Sequence, residues 1–172
     1  MNTQRIRQAH IDWTQQQGFN VFATLKFKNG YDIGEQQAER VLRIFLNRLD
    51  RTYFGKKAIR EGSRVRRFVY MHKGRSGQNI HYHVLFEAIG DIASFCRLAH
   101  HLWSTSFTET DGENTQVTRQ RSILGSSVYA LHEYGNLGEQ TFREKLSHSA
   151  GNIGVQRNMR HLRRLLKATD GT

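Results

Sequence analysis

The segment RFVYMHKGRSGQNIHYHVLFE, residues 67–87, decides the fold. Two apolar runs, 67–72 and 79–87, flank a loop of glycines and polar residues (KGRSGQ), the pattern of two antiparallel strands joined as a hairpin. A strand turns successive side chains to opposite faces, so His81 and His83 project together while Tyr82 packs on the other side. His72 stands just before the loop, where antiparallel pairing brings its side chain beside that pair. Nine histidines in 172 residues make one His-x-His pair a weak signal alone; a third imidazole on the neighbouring strand is what gives it weight. Imidazole nitrogens suit Mn²⁺, Co²⁺, Ni²⁺ or Zn²⁺.

Upstream, FNVFATLKFK at 19–28 alternates Val21, Ala23, Leu25 and Phe27 with Phe22, Thr24, Lys26 and Lys28, and predicts a strand. After the Asn29-Gly30 turn, residues 35–53 carry Ala38, Val41, Leu42, Phe45, Leu46 and Leu49 at helical spacing. Downstream, Asp91 caps a predicted helix to Trp103, with Phe95, Cys96, Ala99 and Leu102 inward; Cys96 reads as an apolar core residue. A short strand is expected at 116–121 after an Asp111-Gly112 turn, then a helix from Ser126 or Ser127 to Tyr134, stopped by Gly135 and Gly138. Short helices are expected at 1–17 and at 155–168, the second a basic extension. The order strand, helix, strand, strand, helix, strand, helix predicts an α+β, ferredoxin-like (RRM-like) sandwich: a central antiparallel sheet with helices on its faces, one domain over 1–172 with its core at 19–134.

Twenty-six Lys and Arg against 15 Asp and Glu give a net charge of +11, which points to a polyanionic partner. Clusters recur at 60–67 and 157–167, where Arg160, Arg163, Arg164 and Lys167 follow helical spacing. No apolar run approaches the roughly 20 residues of a membrane span, and the polar, glutamine-rich first 17 residues do not look like a secretory signal, so a cytoplasmic protein with no membrane partner is expected. For a nucleophile, Tyr129 in SSVYALHEYG (126–135) is the candidate. On a continuous helix His132 and Glu133 would share its face, whereas Tyr134 would point about 140° away, which favours a single active tyrosine.

In order and character, VFATLKF (21–27), IHYHVLF (80–86) and VYALHEY (128–134) resemble the first-strand motif, the histidine-hydrophobic-histidine motif and the tyrosine helix of the HUH endonucleases, especially rolling-circle replication initiators of plasmids and phages. The resemblance implies metal ligation by His72, His81 and His83, with Mn²⁺ or Mg²⁺ as cofactor, and attack by Tyr129 on single-stranded DNA or a DNA hairpin to leave a 5′-phosphotyrosine. Three histidines also resemble the relaxase branch. The family's usual lysine three residues after the nucleophile is replaced by His132, and Glu133 matches by position a ligand of the small tyrosine transposases. On this resemblance Lys26, Lys28, Arg75, Arg160, Arg163 and Arg164 hold the DNA backbone, with His132, Glu133 and Tyr134 as accessory candidates. No GxxxxGK[ST] loop occurs, so unwinding would fall to a host or separately encoded helicase. The alternatives are a small tyrosine transposase or relaxase-type strand transferase and, of another class, a non-catalytic RNA- or DNA-binding module.

Overall fold

A computed structural model describes residues 3–149; the expected basic extension with Arg160, Arg163 and Arg164 lies outside the described residues. The elements are α1 (Thr3–Gln15), β1 (Val21–Phe27), α2 (Glu35–Arg60), β2 (Arg67–His72), β3 (His81–Phe86), α3 (Ile92–Ser104), β4 (Thr110–Arg119), α4 (Ile123–Ala130) and α5 (Tyr134–Leu137). The four strands form one sheet in the order β2-β3-β1-β4, every neighbour antiparallel. With helices crossing between β1 and β2 and between β3 and β4, this is the ferredoxin-like α+β sandwich expected from the sequence.

Alternation along the strands divides the molecule into two cores. Val21, Ala23, Leu25, Val69, Met71, Tyr82, Val84 and Phe86 face α2 and α3, where Phe45 meets Trp103 edge to face at 5.3 Å. The Trp103 indole N–H donates to the Lys26 carbonyl at 3.1 Å, which satisfies its one polar atom. On the opposite face Phe68, Tyr70 and Leu85 pack against Ile11 of α1 and against Ala130, Leu131 and Tyr134. That second layer covers only part of the sheet, and the histidines lie beside its end.

Several boundaries differ from expectation. The last strand is Thr110–Arg119 rather than 116–121, because Asp111 to Asn114 bulge within it: Lys26 pairs with Asp111, and two residues earlier Thr24 already pairs with Gln116. The Asp111 carboxylate accepts from the Asn114 backbone N–H at 3.0 Å and side-chain amide at 2.8 Å, so the residues that read as a turn close a local loop inside the strand. Helix α4 starts earlier than expected because Ser122, not Ser126 or Ser127, caps it, accepting from Gly125 N–H at 3.0 Å. Ser127 is buried and donates back to the Ile123 carbonyl. The helix also ends at Ala130 rather than Tyr134. Helix α2 runs past Tyr53 to Arg60, interrupted at Gly55, whose φ of 75° is left-handed. Cys96 is half-buried against the α2–α3 core.

The start of β2 is fixed by a buried ion pair. Arg67 donates two bonds to Asp50, at 2.7 and 3.1 Å, and a third to the Leu146 carbonyl, while Asp50 also accepts from Val65 N–H at 2.9 Å. Asp50→Ala leaves a buried guanidinium uncompensated, and a loss of about 3–5 kcal/mol in unfolding free energy is expected. Urea denaturation checks it; a loss below about 1 kcal/mol, the level of an exposed pair, would contradict the assignment.

Candidate metal centre

Register places the histidines. His72 lies directly opposite His81 across β2 and β3, and Tyr70 lies opposite His83, so the three imidazoles share the sheet face that α4 approaches. Ring centroids are 5.4 Å apart for His72 and His81, 4.3 Å for His72 and His83, and 5.1 Å for His81 and His83. One ligand atom from each lies within 4.8 Å of the other two, so this group could hold a metal ion.

Hydrogen bonds to the remaining nitrogens leave the inward ones free. His72 Nε2 meets the Ala130 carbonyl at 2.8 Å and His81 Nδ1 the Asn79 carbonyl at 3.0 Å; a carbonyl only accepts, so both nitrogens carry the proton. That leaves lone pairs on His72 Nδ1 and His81 Nε2. His83 Nδ1 meets Thr24 Oγ1 at 3.1 Å, and with the hydroxyl accepting, its lone pair falls on Nε2. Among the described residues, His72 Nδ1 and His83 Nε2 are buried and have no hydrogen-bond partner. Buried lone pairs aimed into one space, each backed by a partner on the other ring nitrogen, match what a divalent ion requires of its ligands.

Electrostatics agree. Burial lowers all three histidines: His72 falls to about 4 against the opposing pull of the Ala130 carbonyl and Glu133, His81 falls, and His83 falls well below its ordinary value, helped by the charges of its neighbours. At neutral pH the imidazoles are uncharged, and a metal displaces no protons from them.

The sequence places His132 and Glu133 one turn beyond Tyr129 on a continuous helix, but the chain leaves α4 after Ala130 and turns tightly. The turn still delivers both. The His132 ring is 4.5 Å from that of His72, and buried Glu133 sets Oε1 3.7 Å from His72 Nδ1 and 3.6 Å from His132 Nε2. His72, His132 and Glu133 form a second group able to hold an ion, sharing His72 with the first. Glu133 also accepts from the backbone N–H groups of Lys73 and Gly74, at 2.7 and 2.9 Å, which clasps the β2–β3 loop to the end of α4.

Tyr129 is 52% exposed, with its ring 4.9 Å from those of His83 and His132 and 6.0 Å from Phe22. Tyr134 is buried in the second core and does not reach the site's surface. Beside the histidines opens a cleft of about 490 Å³, lined among others by Thr24, Lys26, Lys28, His81, Gln116 and Tyr129. Arg75 is exposed in the β2–β3 loop and is not among the cleft's lining residues. Sequence reasoning missed the Asn79 and Ala130 carbonyls, which set the tautomers of His81 and His72, Thr24, whose hydroxyl meets His83, and Phe22, which stacks on His83 at 5.3 Å. Strand register reveals Thr24, which pairs with His83, and the packing of α4 on the sheet reveals Ala130. Comparison with known proteins returns no match among family models, curated proteins or solved structures. Among the described residues no helix is long and apolar enough to cross a membrane.

Two outcomes are expected. Added Mn²⁺, Co²⁺ or Zn²⁺ stabilises the wild-type protein by about 2.7 kcal/mol at a hundredfold excess over Kd, read as a rise in Tm, and His81→Ala loses most of that rise. Without metal, the lowered histidines make the unfolded chain bind protons that the folded one refuses. Stability is therefore full above 6.5 and declines as pH falls, by about 1.4 kcal/mol per unit for each such histidine, levelling for His72 only below about 4. Urea midpoints between pH 7 and 4 test this; a flat profile would refute it.

Proposed function

We propose that this protein is a metal-dependent endonuclease that nicks and rejoins single-stranded DNA, with Tyr129 as nucleophile. The observation that carries the reading is the placement of an exposed phenol 4.9 Å, ring to ring, from a buried histidine whose free nitrogen faces two more, at the edge of a cleft with Lys26 and Lys28 on its wall. Such a phenol is a nucleophile of the kind that covalent phosphoryl transfer uses.

His72, His81 and His83 would hold Mn²⁺ or Mg²⁺, which supplies Lewis-acid polarisation of the scissile phosphate. Lys26 and Lys28 contact the phosphates on either side as point charges. Phe22, His83 and His132 surround the Tyr129 ring and restrict its approach, so that little orientational freedom is lost on reaction. The Tyr129 oxygen bonds to phosphorus as the bond from phosphorus to the 3′-oxygen breaks. The phenolic proton passes to solvent and the departing 3′-oxygen takes one up. The product is a 5′-phosphotyrosine with a free 3′-hydroxyl, and attack by a 3′-hydroxyl reverses it without ATP. The motif resemblance to HUH endonucleases favours initiation of rolling-circle replication as the biological task, with a separate helicase.

Incubation of wild-type, Tyr129→Phe and His81→Ala proteins with a pool of labelled single-stranded DNA and Mn²⁺, followed by denaturing electrophoresis, tests this. A covalent adduct is expected with wild type only, and chelator should remove it. An adduct that persists in Tyr129→Phe would move the nucleophile elsewhere. Salt-sensitive binding with no adduct would overturn catalysis.

A further inference from the structure

The cleft beside the histidines has a second wall that the nicking chemistry does not use. The turn after β1 forms part of it and presents Tyr31, 59% exposed. An aromatic ring that gains so little from burial is nevertheless held on a firm support. The Gly30 carbonyl accepts from Ile80 N–H at 2.8 Å, immediately before His81, and the Asn29 carbonyl accepts from Ile33 N–H at 3.1 Å. The Asn29 amide also donates to Asp32. Gly30 is required there: a Cβ would collide with Asn79 Oδ1 and come 2.9 Å from the Ile80 carbonyl oxygen. The Tyr31 turn is thus locked to the strand that carries two of the three histidines.

Gln116 lines the same cleft from β4, directly across the sheet from Thr24, whose hydroxyl meets His83. Among the described residues its amide has no hydrogen-bond partner, so a donor and an acceptor remain available to a ligand. Lys26 and Lys28 also line the cleft. A ring with an open face, an unengaged amide and two ammonium groups are the complements of a base plane, a base edge and flanking phosphates.

Resting on the DNA reading above, we propose that this cleft binds the unpaired nucleobase adjoining the scissile phosphate, stacked on the Tyr31 ring with its hydrogen-bonding edge met by the Gln116 amide. Tyr31 supplies affinity at one position of the strand, because any base offers a π face. Gln116 supplies a preference among bases, because its unengaged amide offers a donor and an acceptor to their edges.

The test is a position scan. Labelled single-stranded DNA is selected from a random pool by binding to the wild-type protein, and each base in turn is replaced by an abasic site; affinities are read by fluorescence anisotropy for wild type, Tyr31→Phe, Tyr31→Ala and Gln116→Ala. At one position the abasic change should weaken wild type and Tyr31→Phe by about 5- to 100-fold and leave Tyr31→Ala, already weaker, unchanged. Gln116→Ala should flatten the preference among the four bases at that same position. Tyr31→Ala weakening binding equally at every position, or not at all, would overturn the pocket, as would failure of wild type to select any DNA. The covalent-adduct assay separates the two claims. An adduct with no coupled position leaves the nuclease and removes the pocket; a coupled position with no adduct removes the nuclease and keeps base binding alone. With both, the coupled base must adjoin the cleaved bond, and one elsewhere would overturn the placement.

Discussion

The antiparallel register that sets His72 opposite His81 and Tyr70 opposite His83 fixes two surfaces of the sheet at once. A slip of one residue would turn Tyr82, Val84 and Met71 out of the α2–α3 core and drive the imidazoles into it. The apolar alternation that forms the larger core therefore also brings together the imidazole nitrogens that could hold a metal ion. The Arg67–Asp50 pair holds the start of β2 and the Glu133 clasp holds the loop beyond its end, so both limits of the strand are tied to other elements.

Burying three imidazoles costs solvation, and the structure offsets that cost unevenly. Each ring has one nitrogen bonded to a carbonyl or hydroxyl, while the nitrogens facing one another include two with no partner among protein atoms. A core serving stability alone would fill these positions with apolar side chains of similar volume. The buried nitrogens left without a partner among the described residues are the ones that could hold a metal ion.

Much of this was legible in the sequence. Period-two alternation identified β1, two apolar runs flanking a polar loop identified β2 and β3, strand geometry gave the shared face of His81 and His83, and three-four spacing identified α2 and α3. What escaped had local chemistry opposed to its final state. Asp111-Gly112 reads as a turn, and it does bulge, but inside a strand whose pairing with β1 only tertiary contact supplies. SSVYALHEY reads as one helix, yet the Ala130 carbonyl is bonded by His72, and the chain turns there to deliver Glu133 to the β2–β3 loop. The partners of the imidazoles were beyond reach where they are distant in sequence: Thr24 and His83 are separated by 59 positions and meet only through register.

Among the described residues the cleft lies along an edge of the sheet, since β4 has β1 on one side and no strand on the other. Among the described residues its walls carry exposed side chains: Lys26, Lys28, Tyr31, Asn114 and Gln116 all face solvent. On the DNA reading a strand can be laid in from the side and lifted out the same way, with no terminus threaded through the protein. The internal segments of a covalently closed circle would then be as accessible as those of a linear molecule, and a resealed product could depart without the protein having to open.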